Sequence, residues 1–191
     1  AGLSVVADSL SAIKYAKVKT IRDDAGVVVD YEVEGDFPKY GNDDDRVDSI
    51  AYDIVHRFME HIRKNHTYRN SIPTTSILTI TSNVVYGKNT GATPDGRKSR
   101  DMLGYGVDPL YGEASNGLGF RMLSNMNLPF DEFNGGYASH LGIDPKYFGN
   151  GDYSEKGIAF YNNIVKPLFF NEFSEGVSPF YLYVNVTTPE I

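Results

Sequence analysis

Apolar positions recur at steps of three and four in two stretches of the chain, and each pattern predicts a helix. In residues 1–17, Leu3, Val6, Leu10 and Ile13 fall on one helical face, with Ser4 placed to cap its start. In Arg46 to Lys64 the stripe is broader, running through Val47, Ile50, Ala51, Ile54, Val55, Phe58 and Ile62. The acidic run Asp43-Asp44-Asp45 before it and the basic His61, Arg63 and Lys64 at its end suit the helix dipole, so the run reads as a cap rather than a metal site. Between the two helices, Val18 to Arg22 and Val27 to Val33 are β-rich and flank Asp23-Asp24-Ala25-Gly26, which predicts a hairpin.

Further on, the short run Ile77 to Thr81 reads as a buried strand that opens into a loop punctuated by Gly87, Gly91, Pro94 and Gly96. The loop is taken to begin by Asn83, and Asp95 and Arg97 are its charged tips. A structural role is expected of both through charge-assisted hydrogen bonds, ahead of substrate contact. Tyr137 to Pro145 predicts a short strand. A helix is expected over Glu155 to Asn171 through Ile158, Asn162, Val165 and Phe169, interrupted near Pro167, and a strand over Phe180 to Thr187. Together these give an α/β chain with a small β-hairpin, organised as one unit over 1–191.

Candidate chemistry outside the loop is weak. Ser9, Ser11 and Lys14 read as small polar residues on a packed helix rather than a nucleophile pair. Glu32, Glu34 and Asp36 alternate along a strand edge and lack the geometry of a calcium loop. His56 and His61 are five positions apart and share no helical face, so they are not taken as ligands. No catalytic residue and no metal ligand is assigned, and substrate-binding residues stay open. The many aromatic residues of the second half are expected to pack a core, not to form a stacking platform, because no basic groove accompanies them.

A formal net charge of −7 with scattered Lys and Arg argues against a nucleic-acid partner. No apolar run reaches the roughly 18 residues of a membrane span and no signal peptide opens the chain, which points to a cytoplasmic location without a membrane partner. The chain contains no cysteine. Its start, Ala1-Gly2-Leu3-Ser4, has no initiator Met, which predicts a processed or excised piece of a longer polypeptide.

The stretch I-T-S-N-V-V-Y-G-K-N-T-G-A-T-P-D-G-R, ending at Arg97, closely resembles a segment late in the pyruvate formate-lyase (formate acetyltransferase) group of the glycyl radical enzyme family. The lead-in H-T-Y-R-N-S-I-P-T (His66 to Thr74) and the opening helix resemble it too. The likeness is close over 1–97 and loose over 98–191. In the later half the family's His before the last Gly of G-Y-G-V-D-P-L-Y-G is Tyr111, and its Lys before Leu-Pro is Asn127.

The resemblance implies part of a β/α barrel with outer helices, the loop around Asn83, Gly87, Gly91, Pro94, Asp95, Gly96 and Arg97 forming a structural rim. It implies a portion of a formate C-acetyltransferase, which converts pyruvate and coenzyme A to acetyl-CoA and formate by glycyl and thiyl radical chemistry. The expected partners are the remainder of the barrel or a larger assembly; family members form homodimers. Family cofactors are a protein glycyl radical, with coenzyme A as co-substrate, and none is expected in this chain. The active-site cysteine pair is missing, and so is the radical loop R-V-x-G-Y. Gly135-Gly136-Tyr137 lacks the preceding Arg-Val and aligns by order with an earlier barrel strand. Whether the chain is itself an enzyme is left open, and the alternative is a truncated, non-catalytic relative serving as a structural or interaction subunit.

Overall fold

The computed structural model describes residues 1–79, 81–170 and 181–188. The chain begins with helix α1 (Leu3–Tyr15), followed by strands β1 (Lys17–Arg22) and β2 (Val28–Glu34) and helix α2 (Asp45–Arg63). Then come α3 (Ser82–Lys88), α4 (Leu118–Met126), β3 (Ala138–Ile143), α5 (Tyr153–Phe160), α6 (Lys166–Phe169) and β4 (Tyr181–Val186).

The hairpin pairs antiparallel, with a bulge at Ile21/Arg22 that increases its twist. Glu34 and Glu32 face Lys17 and Lys19 across it at 2.8 and 3.1 Å, so these carboxylates are spent on cross-strand ion pairs. Lys98 reaches from the later loop to both oxygens of Asp30, at 3.0 and 2.8 Å, and ties the hairpin to the body.

Helix α2 begins where the Asp run ends: Asp44 is its cap, accepting from the Arg46 N–H at 3.0 Å. Its buried positions are Val47, Ala51, Val55 and Met59, while Phe58 is exposed. Helix α1 packs on α2 with a face that the apolar pattern did not mark. Its start follows Gly2 without a side-chain cap, and Ser4 lies inside the helix, buried. Ser4, Ala7, Asp8, Ser11 and Ala12 face inward, whereas Val6, Leu10 and Ile13 are 47%, 43% and 57% exposed. Small inward residues let the two helix axes approach closely.

The strand expected over Ile77 to Thr81 is reduced to one parallel bridge, Ile77 to Tyr137; Ile80 is outside the described residues. Beyond it the chain enters a helix, α3, where a loop was expected. Among the described residues, β3 and β4 form a parallel two-stranded sheet, Ala138 opposite Tyr181 through Ile143 opposite Val186. Phe180, expected at the head of β4, and Asn171, expected at the end of the preceding helix, lie outside the described residues.

The interruption expected near Pro167 is a wide, π-type turn over Tyr161–Val165 joining α5 to α6. Proline has no N–H to donate and its ring crowds the carbonyl four residues back, and the extra residue per turn accommodates both.

Two apolar cores result. One gathers Leu3, Ala7, Val47, Ala51 and Val55 around Tyr40, Val107, Phe133 and Tyr137, and the other gathers Leu141, Ile143, Ile164 and Leu168. Strand β3 separates them, so the segments on either side of it converge on its residues Ser139 and His140.

Candidate functional site

The rim residues separate into two parts. Asn83 and Gly87 belong to α3, not to a loop. Asn83 is fully buried; its Nδ2 donates to the Leu103 carbonyl at 2.9 Å, while Oδ1 has no partner among the described residues. Gly87 lies against the main chain of Asp101 and Met102, so closely that a Cβ would collide with the Asp101 carbonyl.

Gly91 to Arg97 make the loop proper. Gly96 has φ +96° and closes a turn in which its N–H donates to the Thr93 carbonyl at 3.0 Å, and the Thr93 N–H donates to that of Arg97 at 3.0 Å. Pro94 and Asp95 form the tip, and Asp95 accepts from Ser9 Oγ at 3.2 Å. The Arg97 side chain turns inward. Its guanidinium donates to Thr93 Oγ1 at 3.2 Å and to the carbonyls of Lys98 and Asp101 at 3.0 and 2.7 Å, and also to the Gly91 carbonyl. The Asp101 carbonyl thus meets both Gly87 and Arg97, which is where the two parts of the rim join.

Beneath that loop Asp8 of α1 is buried, accepting from the Tyr40 N–H at 2.7 Å. Burial pushes its carboxyl up to about 8; Asp95 and Glu113 add to the rise, against the Tyr40 hydrogen bond and Lys39.

A second polar centre lies in the later half, and no sequence motif singles out its members. Asp108, 2% exposed, receives Ser139 Oγ at 2.7 Å, the His140 N–H at 2.6 Å and Asn125 Nδ2 at 3.2 Å. Arg121 Nη2 is 2.8 Å from the same carboxylate and His140 Nδ1 is 3.5 Å away. Burial alone would raise the Asp108 carboxyl; His140, the Arg121 guanidinium and the His140 N–H together outweigh it and hold it below the ordinary value. Arg121 also donates to the His140 carbonyl.

This centre is the inner wall of a cleft of about 790 Å³ between the 105–118 segment and the β3–β4 sheet. The aromatic residues around it are not core: Tyr111, Tyr181 and Tyr183 are 81%, 50% and 46% exposed. The expectation that the aromatic residues of this half pack a core holds for Phe130, Phe133 and Tyr137 in the first core and for Phe148, Phe160 and Phe169 around the second, but not for these three tyrosines. The centre is assembled from three segments up to 32 residues apart, Asp108 to His140, with no local spacing to announce it. The one available signal was Asp108 itself, a lone acid in an apolar, glycine-rich stretch.

The other candidates are explained locally. His56 Nδ1 meets Glu132 Oε1 at 2.6 Å, and His61 Nδ1 lies 2.8 Å from the Arg57 carbonyl. Gly135 and Gly136 lead into β3: the Gly135 N–H donates to the Thr75 carbonyl at 2.9 Å, and the Gly136 carbonyl accepts from the Ile77 N–H at 3.0 Å.

With the geometry in place, comparison with known proteins identifies the relationship. The pyruvate formate lyase-like family matches residues 1–87. Formate acetyltransferase 1 of Escherichia coli (strain K12) is 53% identical over 152 residues, covering 80% of this chain and 20% of that protein. The chain is thus related to the pyruvate formate lyase-like family of glycyl radical enzymes. It corresponds to a segment, about one fifth of the length of that relative.

Solved structures extend the likeness through the later half. The glycerol-bound B12-independent glycerol dehydratase of Clostridium butyricum superposes with a TM-score of 0.74 at 23% identity, over 99% of this chain and 24% of its own. A glycyl radical enzyme from Archaeoglobus fulgidus gives 0.73 at 20% identity, over 99% and 24%. Hydroxyproline dehydratase from Clostridioides difficile gives 0.74 at 23%, over 98% and 24%. At these identities the likeness is one of fold. It does reach the residues beyond 87, where the family match ends.

Proposed function

We propose that this chain is a portion of a formate C-acetyltransferase, in which it supplies strands and outer helices of the β/α barrel and the rim segment 83–97, made of α3 and the loop after it. The observation that carries the reading is the 53% identity to formate acetyltransferase 1 over 152 residues. The reaction cleaves pyruvate and passes its acetyl group to coenzyme A by glycyl and thiyl radical chemistry. Its thiyl step needs a cysteine pair, and this chain has no cysteine, so the chain is not catalytic on its own.

The residues present do not fit the radical store either. Gly136, the nearest candidate, has its N–H donated to the Phe133 carbonyl and its own carbonyl engaged by Ile77, as the turn into a strand requires. No step is therefore assigned to residues of this chain, and its role is to hold shape: Arg97 locks the rim, Asp95 pins it to α1, and Lys98 ties it to the hairpin. The partners on this reading are the remainder of the barrel and, beyond it, a second copy of the whole enzyme in the cytoplasm. No described helix is long and apolar enough to cross a membrane.

A second reading, a truncated relative kept as a structural or interaction subunit, draws its support from one observation: the family match ends at residue 87. Intact mass separates the two. Isolated from its source and denatured, the polypeptide should be several times heavier than 21.2 kDa and the native preparation should form acetyl-CoA and formate from pyruvate and coenzyme A. A 21.2 kDa chain held without covalent linkage in a larger assembly overturns the first reading in favour of the second.

A further inference from the structure

The Asp108 cleft has a lining that the shape-holding role does not use. Four rings run across it in sequence: Tyr181 to Tyr183 at 6.4 Å between centroids, Tyr183 to His140 at 5.7 Å and His140 to Tyr105 at 5.2 Å. The first pair is close to parallel, 24° between planes, and offers a broad aromatic face. Asn185 and Thr187 border the same cleft and add neutral donors and acceptors to the tyrosine hydroxyls.

Charge narrows the choice of ligand. Of the described side chains lining the cleft, Asp108 and Arg121 alone carry fixed charge, and at 2.8 Å they cancel each other. Among the described residues a phosphate or carboxylate finds no spare cation there, and an ammonium finds no spare anion. The His140 ring borders the cleft, with Nδ1 buried 3.5 Å from Asp108 Oδ2, so Nε2 is the ring nitrogen left to meet a ligand. An aromatic strip with hydroxyl, amide and imidazole groups along it suits a molecule with apolar C–H faces and many uncharged hydroxyls.

We propose that the cleft between the 105–118 segment and the β3–β4 sheet is a binding site for a neutral sugar, stacked on Tyr181 and Tyr183 and hydrogen-bonded through its hydroxyls to His140 Nε2, Asn185 and Thr187. The aromatic strip supplies area and the polar groups fix orientation. The site is a property of the folded later half and does not depend on the acetyltransferase reading.

The test uses methyl β-D-glucopyranoside as probe, with acetate and inorganic phosphate as competitors, and saturation-transfer NMR as readout. The glucoside should bind in the millimolar range, shift the His140 ring signals and stay bound in the presence of either anion. Tyr183→Ala and, separately, the half-exposed Tyr181→Ala should each weaken it by about tenfold, a change typical of losing one stacking partner. No binding at about 50 mM, far above such an affinity, overturns the proposal. So does binding that both substitutions leave unchanged, binding without a His140 shift, or displacement by acetate or phosphate, which would mark an anion site instead.

Discussion

Asp8 departs far from its ordinary behaviour, and the departure has a sign. Its carboxyl is buried and pushed up to about 8 in the folded chain, against an ordinary value of 3.8. Between those values the folded protein holds a proton that the unfolded chain has released. Its contribution to stability is therefore complete below about pH 4 and is lost as the pH rises toward 8. Asp8→Asn keeps an oxygen for the Tyr40 N–H and cannot ionise. Compared by urea denaturation, the variant should gain on wild type by about 1.4 kcal/mol per pH unit between pH 5 and 7. Parallel stability curves would mean that Asp8 ionises normally. None of this was legible in the sequence, where Asp8 is one acid on a helix followed by Ser9; its proton follows from burial and from the charge of Asp95, 87 positions away, which no local pattern records. Arg97 was legible as a charged tip of the loop, but its turning inward to four oxygens is set by the positions of Gly91, Thr93, Lys98 and Asp101.

Among the elements, α2 and the hairpin follow closely from their patterns, because a broad apolar stripe and two β-rich runs around an Asp-Gly turn bury or pair whatever lies beside them. The pattern of α1 misleads. Its apolar stripe predicts the buried face, yet of that stripe Leu3 is buried while Val6, Leu10 and Ile13 are exposed, and the small residues Ala7, Ser11 and Ala12 are fully buried. The periodicity reports a helix correctly, but within this unit the close contact with α2 is made by the face that is small enough for it. Helix α3 was missed for a related reason: Val84, Val85 and Gly87 are poor helix formers, and the burial of Asn83 and the contact of Gly87 with residues 101–102 override propensity. The α1 arrangement predicts an ordering of substitutions. Ser11 is fully buried and its Oγ donates to the Pro38 carbonyl at 2.6 Å. Ser11→Leu both overpacks the contact and strands that carbonyl, and should cost about 2–4 kcal/mol in urea denaturation. Ile13→Ser, on the exposed face, should stay within about 0.5 kcal/mol. The reverse order would place the apolar stripe in the core after all.

At the scale of the whole molecule, surfaces that a self-sufficient domain would cover remain open. The α1 stripe is one, α3 shows Val84, Val85 and Tyr86 at 38%, 58% and 55% exposure, and among the described residues β4 pairs on one side only, with β3. Parallel sheets are ordinarily covered on both faces and extended at their edges, and an unpaired edge is a template for another strand. Chains of the same fold carry about four times as much polypeptide, since this one covers 24% of the glycerol dehydratase while superposing over 99% of itself. The chain by itself is therefore expected to self-associate as concentration rises, seen in sedimentation velocity as a weight-average mass climbing above 21.2 kDa. A double substitution of Leu10 and Ile13 to Lys removes apolar area without touching the α1–α2 contact, so it should lower association while leaving the urea midpoint nearly unchanged. A wild-type chain that sediments as one 21.2 kDa species at every concentration would mean that these surfaces are tolerated in water, and that the folded segment needs no covering polypeptide to remain in solution.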